Sequence, residues 1–270
     1  MYAGGALTTA GTAWARAGDD WTADVGGWSA GLKAGAGPVG SGAGGSSNAA
    51  GTGAGWPFMP YTPVTREPGT FCTNWEMFFY EGTGWIYSLS VPHDVPGLIE
   101  ACGGPDVFKA RLDEFLYAGY FSTNNEPAFF APCLYHWIGR PDLTGEIVRT
   151  TVSKEFNDGW KGLPGNDDTG ATSAWLLWHL MGLYPVAGQD LYILHAPLLP
   201  EVTLHLDPAT RDLVIRAEGL SDTNRFIQSV TLNGRNYPYS SLHHADLASG
   251  GLLVLKMGPA PTSWGRSLAP

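Results

Sequence analysis

The chain has 270 residues, enough for one large domain or two smaller ones, and a 44% hydrophobic content that can supply a core. Fifteen basic against 25 acidic residues give a net charge of −10, which excludes the basic footprint needed to hold a phosphate backbone and argues against a nucleic acid partner. No apolar run reaches the roughly 18 residues of a membrane-spanning helix, so no membrane partner is expected.

The N-terminus lacks the basic region and compact apolar stretch of a signal peptide. The expectation is a cytoplasmic protein, or a secreted one whose true start lies upstream. Ala6 to Ala17 reads as a weak helix of small residues, and Gly26 to Gly55 is dominated by Gly, Ala and Ser. Such a stretch buries too little apolar surface to offset its ordering entropy, so residues 1–55 are expected to be a low-complexity segment, disordered or the remnant of a helix. Two motifs inside it carry no chemistry. Gly27-Trp28-Ser29-Ala30-Gly31 lacks the strand before and helix after that a nucleophile elbow requires. Gly35-Ala36-Gly37-Pro38-Val39-Gly40 lacks the βαβ context of a dinucleotide fingerprint.

From Trp56 to Tyr184 the pattern is helical. Apolar residues at helix spacing predict helices over Val95–Cys102 and Asp106–Tyr117, separated by Gly103-Gly104 and with Pro105 in a first-turn position. Further helices are predicted over Pro127–Ile138, closed by Gly139, over Leu143–Phe156, and over Ala171–Leu183, which is apolar almost all round and therefore expected to be buried. After Pro185 the period becomes two. Asp190–His195, Glu201–Leu206, Asp212–Arg216, Ile227–Leu232 and Leu252–Lys256 read as strands, with Asn233-Gly234 a hairpin turn. Cys72, Cys102 and Cys133 make neither an even disulfide framework nor a paired CxxC metal site.

Two carboxylate sites stand out among the loops. Glu81 lies in Tyr80-Glu81-Gly82-Thr83-Gly84-Trp85, where aromatic neighbours suit a protonated general acid, although an exposed loop glutamate reads the same way. Asp167-Asp168 follows Gly162-Leu163-Pro164-Gly165-Asn166 and precedes a helix, so either aspartate can cap that helix while the other activates water. The 11 Trp, 11 Tyr and 11 Phe supply core and also faces for stacking on sugar rings. Asn125-Glu126-Pro127 offers hard oxygen ligands of the kind calcium uses, or a turn before a helix. His93-Asp94 reads either as a site pair or as the polar start of a helix. The Asn166–Gly170 stretch lacks the alternation and terminal Glu of an EF-hand, and no HExxH occurs.

These motifs, with Tyr87, Val91-Pro92-His93-Asp94, Gly97-Leu98-Ile99, Ser173-Ala174-Trp175 and Gly182-Leu183-Tyr184-Pro185, occur in an order that resembles the alpha-mannosidases of glycoside hydrolase family 92. The resemblance runs on through Ala196-Pro197-Leu198, Ile227 to Gly234, His244-Ala245-Asp246 and Met257-Gly258-Pro259 to Trp264-Gly265, about 200 residues in all. It implies a calcium-dependent, inverting, exo-acting hydrolase of alpha-linked mannosides, N-glycans included.

The implied fold is α+β: part of an (α/α)6 barrel over 56–188, then a C-terminal antiparallel β region of a sandwich over 189–265, and a tail at 266–270. The resemblance places the acid on Glu81 and the base on Asp168, with Asp167 in reserve. Trp85, His93 and Asp94 are expected to contact sugar, and Asn125, Glu126 and Asp168 to hold Ca2+. Family members are longer, so this chain is expected to correspond to their C-terminal portion, with open β edges available for association with another chain. Phe129-Phe130 stands where many relatives carry a histidine pair, and Asn166 where many carry an acid.

Overall fold

A computed structural model describes residues 79–206 and 211–270, which belong to one compact unit. The low-complexity segment, the Ala6–Ala17 helix, both glycine motifs and Cys72 lie outside the described residues.

Glu81 and its neighbours enter a helix that the sequence pattern does not announce. This helix, α1 (Gly84–Leu89), is capped by Thr83, whose hydroxyl accepts from the Ile86 amide at 3.3 Å. Next, α2 (Val95–Ala101) is capped by the Asp94 carboxylate, which accepts from the Gly97 amide at 2.9 Å. The α3 helix (Pro105–Tyr117) starts at Pro105, where a missing amide costs nothing. Both bounds agree with the spacing within a residue.

The Pro127–Ile138 prediction needs correction. Two 3-10 segments form there, Glu126–Ala128 and Ala131–Ile138. Each carries a proline in its first turn, and the Cys133 amide bonds back three residues to Phe130 rather than four. Helix α4 (Pro141–Glu155) packs on this segment, and α5 (Ala171–Met181) ends at left-handed Gly182. The expectation that α5 is buried all round fails at Leu177, which is 40% exposed.

Two sheets follow. The smaller orders β1 (Leu183–Pro185), β2 (Tyr192–Leu194) and β7 (Ser241–Leu242), all antiparallel. The larger orders β3 (Glu201–Leu204), β4 (Leu213–Glu218), β8 (Gly251–Gly258), β5 (Phe226–Leu232) and β6 (Arg235–Asn236). β5 turns into β6 through Asn233 (φ 51°) and Gly234 (φ 78°), the left-handed pair of a two-residue hairpin. The β region is not purely antiparallel, because β4 and β8 run parallel, Leu213 opposite Gly251 through Glu218 opposite Lys256. The connection from β4 to β8 includes the β5–β6 hairpin and helix α6 (His244–Ala248), long enough to return the chain in the same direction.

The core has two centres. Trp85, Leu89, Leu98, Phe108, Leu112, Phe115, Leu134 and Tyr135 fill the helical one. Leu194, Leu213, Ile215, Val230, Leu253 and Leu255 fill that of the sheets. Each fully buried side chain of this size stabilises the fold by about 1.5–3 kcal/mol. The mixed α+β arrangement holds the loops at 79–83, 122–126 and 156–170 against this frame.

Candidate functional site

The three loops meet around Asn124 and Asn125. The Asn125 side chain is 6% exposed, and its Nδ2 donates to the Glu81 carbonyl at 2.7 Å and to Glu81 Oε2 at 3.5 Å. From the other side, Gly165 lies so close to Asn124 that a Cβ there would collide with the Asn124 carbonyl oxygen; its φ of +67° also demands glycine. The asparagine pair thus joins the Glu81 loop to the aspartate loop.

Two further contacts fix this junction. The Glu155 carboxylate at the end of α4 accepts from the Thr123 amide at 2.9 Å and the Thr123 hydroxyl at 2.6 Å. Behind the aspartate loop, Trp175 on α5 is buried, stacks on Phe156 at 5.6 Å and donates its indole N–H to the Phe129 carbonyl at 3.0 Å. The segment that follows Asn125-Glu126 and the helix that follows Asp168 are therefore tied together.

The backbone is strained where the carboxylates sit. Glu81 (φ 48°), Asp167 (64°), Asp168 (33°) and Thr169 (60°) are four of the five non-glycine residues with positive φ among those described, and the fifth is the hairpin Asn233. Outside turns of that kind, side-chain-bearing residues held left-handed concentrate at functional sites, because elsewhere nothing offsets their cost.

The two aspartates are used differently. Asp167 Oδ1 accepts from the Ser173 amide at 2.7 Å, while its carbonyl accepts from Gly170 and Ala171 at 2.9 and 2.7 Å, so Asp167 closes the start of α5. The Asp168 carboxylate is exposed and makes no hydrogen bond among the described residues. Glu126 is exposed as well, and Asn125 Oδ1 accepts no hydrogen bond, leaving hard oxygens on both residues. Among the described residues no three of His, Cys, Asp and Glu converge as metal ligands.

Of the three expected sugar contacts, Trp85 is buried while His93 and Asp94 are exposed. Trp85 is 5% exposed and stacks on Tyr120 at 5.1 Å, inside the helical core, because it lies on the inward face of α1. Asp94 spends an oxygen on the α2 cap, and neighbouring His93 is exposed without a hydrogen bond. Phe129 and Phe130 are both buried, Phe130 edge-on to Trp137 at 5.7 Å. Aromatics that do face solvent include Tyr80, beside Glu81, Tyr117 at the end of α3, and Trp160, 95% exposed on a loop closed by the Asn157 amide donating to the Gly162 carbonyl at 3.0 Å.

Sequence reasoning passed over Tyr87 as a single residue, and it missed three buried histidines. The Tyr87 hydroxyl donates to the Tyr80 carbonyl at 2.6 Å, and burial, followed by the nearby Glu81 charge, raises its pKa. His136, His179 and His195 are all buried, with His179 Nδ1 2.8 Å from His195 Nε2. Burial holds His136 and His179 well below the usual imidazole range and His195 down to about 4. Their spacing over three separate elements leaves no local signal.

Residues 51–259 match the glycosyl hydrolase family 92 catalytic domain. The chain belongs to glycosyl hydrolase family 92. It is 36% identical over 188 residues to an uncharacterized secreted glycosidase of Arthroderma benhamiae, a match covering 69% of this chain and 24% of the relative. Among solved structures it is similar to the family 92 inverting mannosidase BT2199 of Bacteroides thetaiotaomicron, with 34% identity, a TM-score of 0.66, and coverage of 71% of this chain and 29% of that one. It is also similar to the alpha-mannosidase BT3965 of the same organism in complex with mannoimidazole, at 26% identity and a TM-score of 0.66, covering 73% and 29%. The chain thus spans about a quarter of the length of these family members. No helix of the described residues is long and apolar enough to cross a membrane.

Proposed function

We propose that this chain carries the acid and base of an alpha-mannosidase that releases terminal mannose from alpha-linked mannosides such as N-glycans, with inversion. The observation that carries the reading is the left-handed backbone shared by Glu81 and the Asp167–Thr169 loop, two segments joined through Asn124 and Asn125. Family membership and a relative solved with mannoimidazole support the substrate class.

In this reading Glu81 protonates the departing glycosidic oxygen while Asp168 takes a proton from water at the opposite face of the sugar. Inversion requires the two carboxyls to stand roughly 6.5–9.5 Å apart, leaving room for that water. Asp168 suits the base because its carboxylate is uncommitted, whereas Asp167 is held by the Ser173 amide. Asn125 Nδ2, within reach of Glu81 Oε2, orients the acid. Trp160, 95% exposed, offers an aromatic face to sugar rings, the part first expected of Trp85.

Calcium is part of the proposal through Asn125, Glu126 and Asp168, whose oxygens are the hard donors it prefers. These are fewer than the six to eight it takes, so water, backbone carbonyls or sugar hydroxyls would complete the shell. When bound it would hold mannose hydroxyls and favour ring distortion.

The test is mannose release from alpha-linked mannobioses by the full chain, with Glu81→Gln and Asp168→Asn as controls. Release that either substitution lowers by about 10²–10⁴-fold supports the reading. Calorimetric mannose binding without release, equal in the native and Glu81→Gln proteins, would instead make this a mannose-binding module.

A further inference from the structure

Glu81 occupies a conformation that a glutamate does not choose, and two groups hold it there. A residue's φ and ψ are fixed by the orientations of the peptide planes on either side of it. The plane before Glu81 is fixed by the Tyr87 hydroxyl, which donates to the Tyr80 carbonyl at 2.6 Å. The plane after it is fixed by Asn125, which donates to the Glu81 carbonyl at 2.7 Å.

Tyr87 does more than bind one carbonyl. Phe79 stacks on its ring with centroids 4.9 Å apart and planes 14° from parallel. Gly82 approaches the ring so closely that a Cβ would fall 2.5 Å from Tyr87 Cε2. Residues 79, 80 and 82 all touch one side chain, and the residue between them carries the acid. Helix α1, capped by Thr83, presents that side chain a turn and a half beyond Glu81.

We propose that Tyr87 is the positioning residue of the acid, a template that holds Glu81 left-handed and aims its carboxyl at the leaving oxygen without itself touching sugar. The inference rests on Glu81 acting as the acid. It explains why position 82 needs glycine although its φ is not positive.

The experiment compares the full chain with its Tyr87→Phe variant, which keeps the stacking ring and loses only the hydroxyl. Two substrates separate the roles: methyl alpha-mannoside, whose leaving group needs a proton, and dinitrophenyl alpha-mannoside, whose leaving group does not. The expected result is a kcat on the methyl glycoside lowered about 10–100-fold, as for a misplaced catalytic group, with KM unchanged and the dinitrophenyl rate nearly native. Equal losses on both substrates, or a raised KM, would overturn the inference.

If the native chain hydrolyses neither substrate, the proposed function fails on its own, and amide hydrogen exchange decides the template. Faster exchange at Gly82 and Thr83 in Tyr87→Phe, with an unchanged melting temperature, upholds it; unchanged exchange rejects it.

Discussion

Acidification should destabilise this protein through its buried histidines. His195 Nδ1 lies 3.1 Å from the Ala196 carbonyl, which can only accept, so the proton of neutral His195 sits on Nδ1. Its Nε2 therefore accepts from His179 Nδ1–H at 2.8 Å, leaving His179 Nε2 unprotonated and without a partner. Both ring nitrogens of His136 are also buried and neither makes a well-formed hydrogen bond, although the Ser240 backbone lies beside the ring. A charge arriving here has no carboxylate to meet, since the polar groups acting on these rings are the other histidines and the backbone of Ser240 and Ala196.

Each of the three has a folded pKa lowered by burial, so the unfolded chain binds more protons below the ordinary imidazole value, and stability falls as pH falls. For His195 the window runs from about 6.5, the unfolded value, down to about 4. At about 1.4 kcal/mol per pH unit, His195 alone costs about 2 kcal/mol between pH 6.5 and 5. His136 and His179 add to this in the same direction. Urea unfolding at pH 7.5 and pH 5.0 measures the loss, and a His195→Gln variant should show a shallower dependence. Equal stability at the two pH values, or an unchanged slope in the variant, would refute the neutral-cluster account.

Three other outcomes follow from the loops. Asp167→Ala should lower stability by about 1 kcal/mol through the lost α5 cap, measured by urea melts, while Asp168→Asn should leave stability unchanged and remove mannose release. Gly165→Ala adds left-handed strain of about 1–2 kcal/mol to a collision with the Asn124 carbonyl, so it should lower both the melting temperature and kcat. Chelation should reduce mannose release and excess calcium restore it, and Glu126→Gln should raise the calcium concentration needed, read by calorimetry.

The helices with plain punctuation were legible: Val95 after Asp94, Pro105 after two glycines, Ala171 after the aspartate loop. So was the Asn233-Gly234 hairpin, because both residues there adopt positive φ. The 3-10 segments were not, since helix spacing cannot tell an i→i+3 turn from an i→i+4 turn where prolines remove the deciding amides. The parallel pairing of β4 with β8 was invisible for a related reason: alternation marks a strand and says nothing of its neighbour's direction. At the site, motif order singled out segments that the fold brings together, but Trp85, chosen for its adjacency to Glu81, lies on the buried face of helix α1.

The same helix accounts for how the site can be strained and still be stable. Thr83 ends the Glu81 loop by capping α1, and Asp167 ends its own loop by capping α5, so each candidate carboxylate lies within the turn that launches a packed helix. The left-handed residues cost free energy locally, but relaxing them would free a cap and disturb a buried tryptophan, Trp85 in one case and Trp175 in the other. A buried aromatic of that size, about 3–5 kcal/mol on truncation, outweighs the strain of the single left-handed Glu81, about 1–2 kcal/mol, and is comparable to that of the three left-handed residues at Asp167–Thr169. Trp85, expected to hold sugar, and Trp175 would thus serve the proposed reaction from inside the core, by keeping the backbone at Glu81 and at Asp167–Asp168 where neither segment would rest alone.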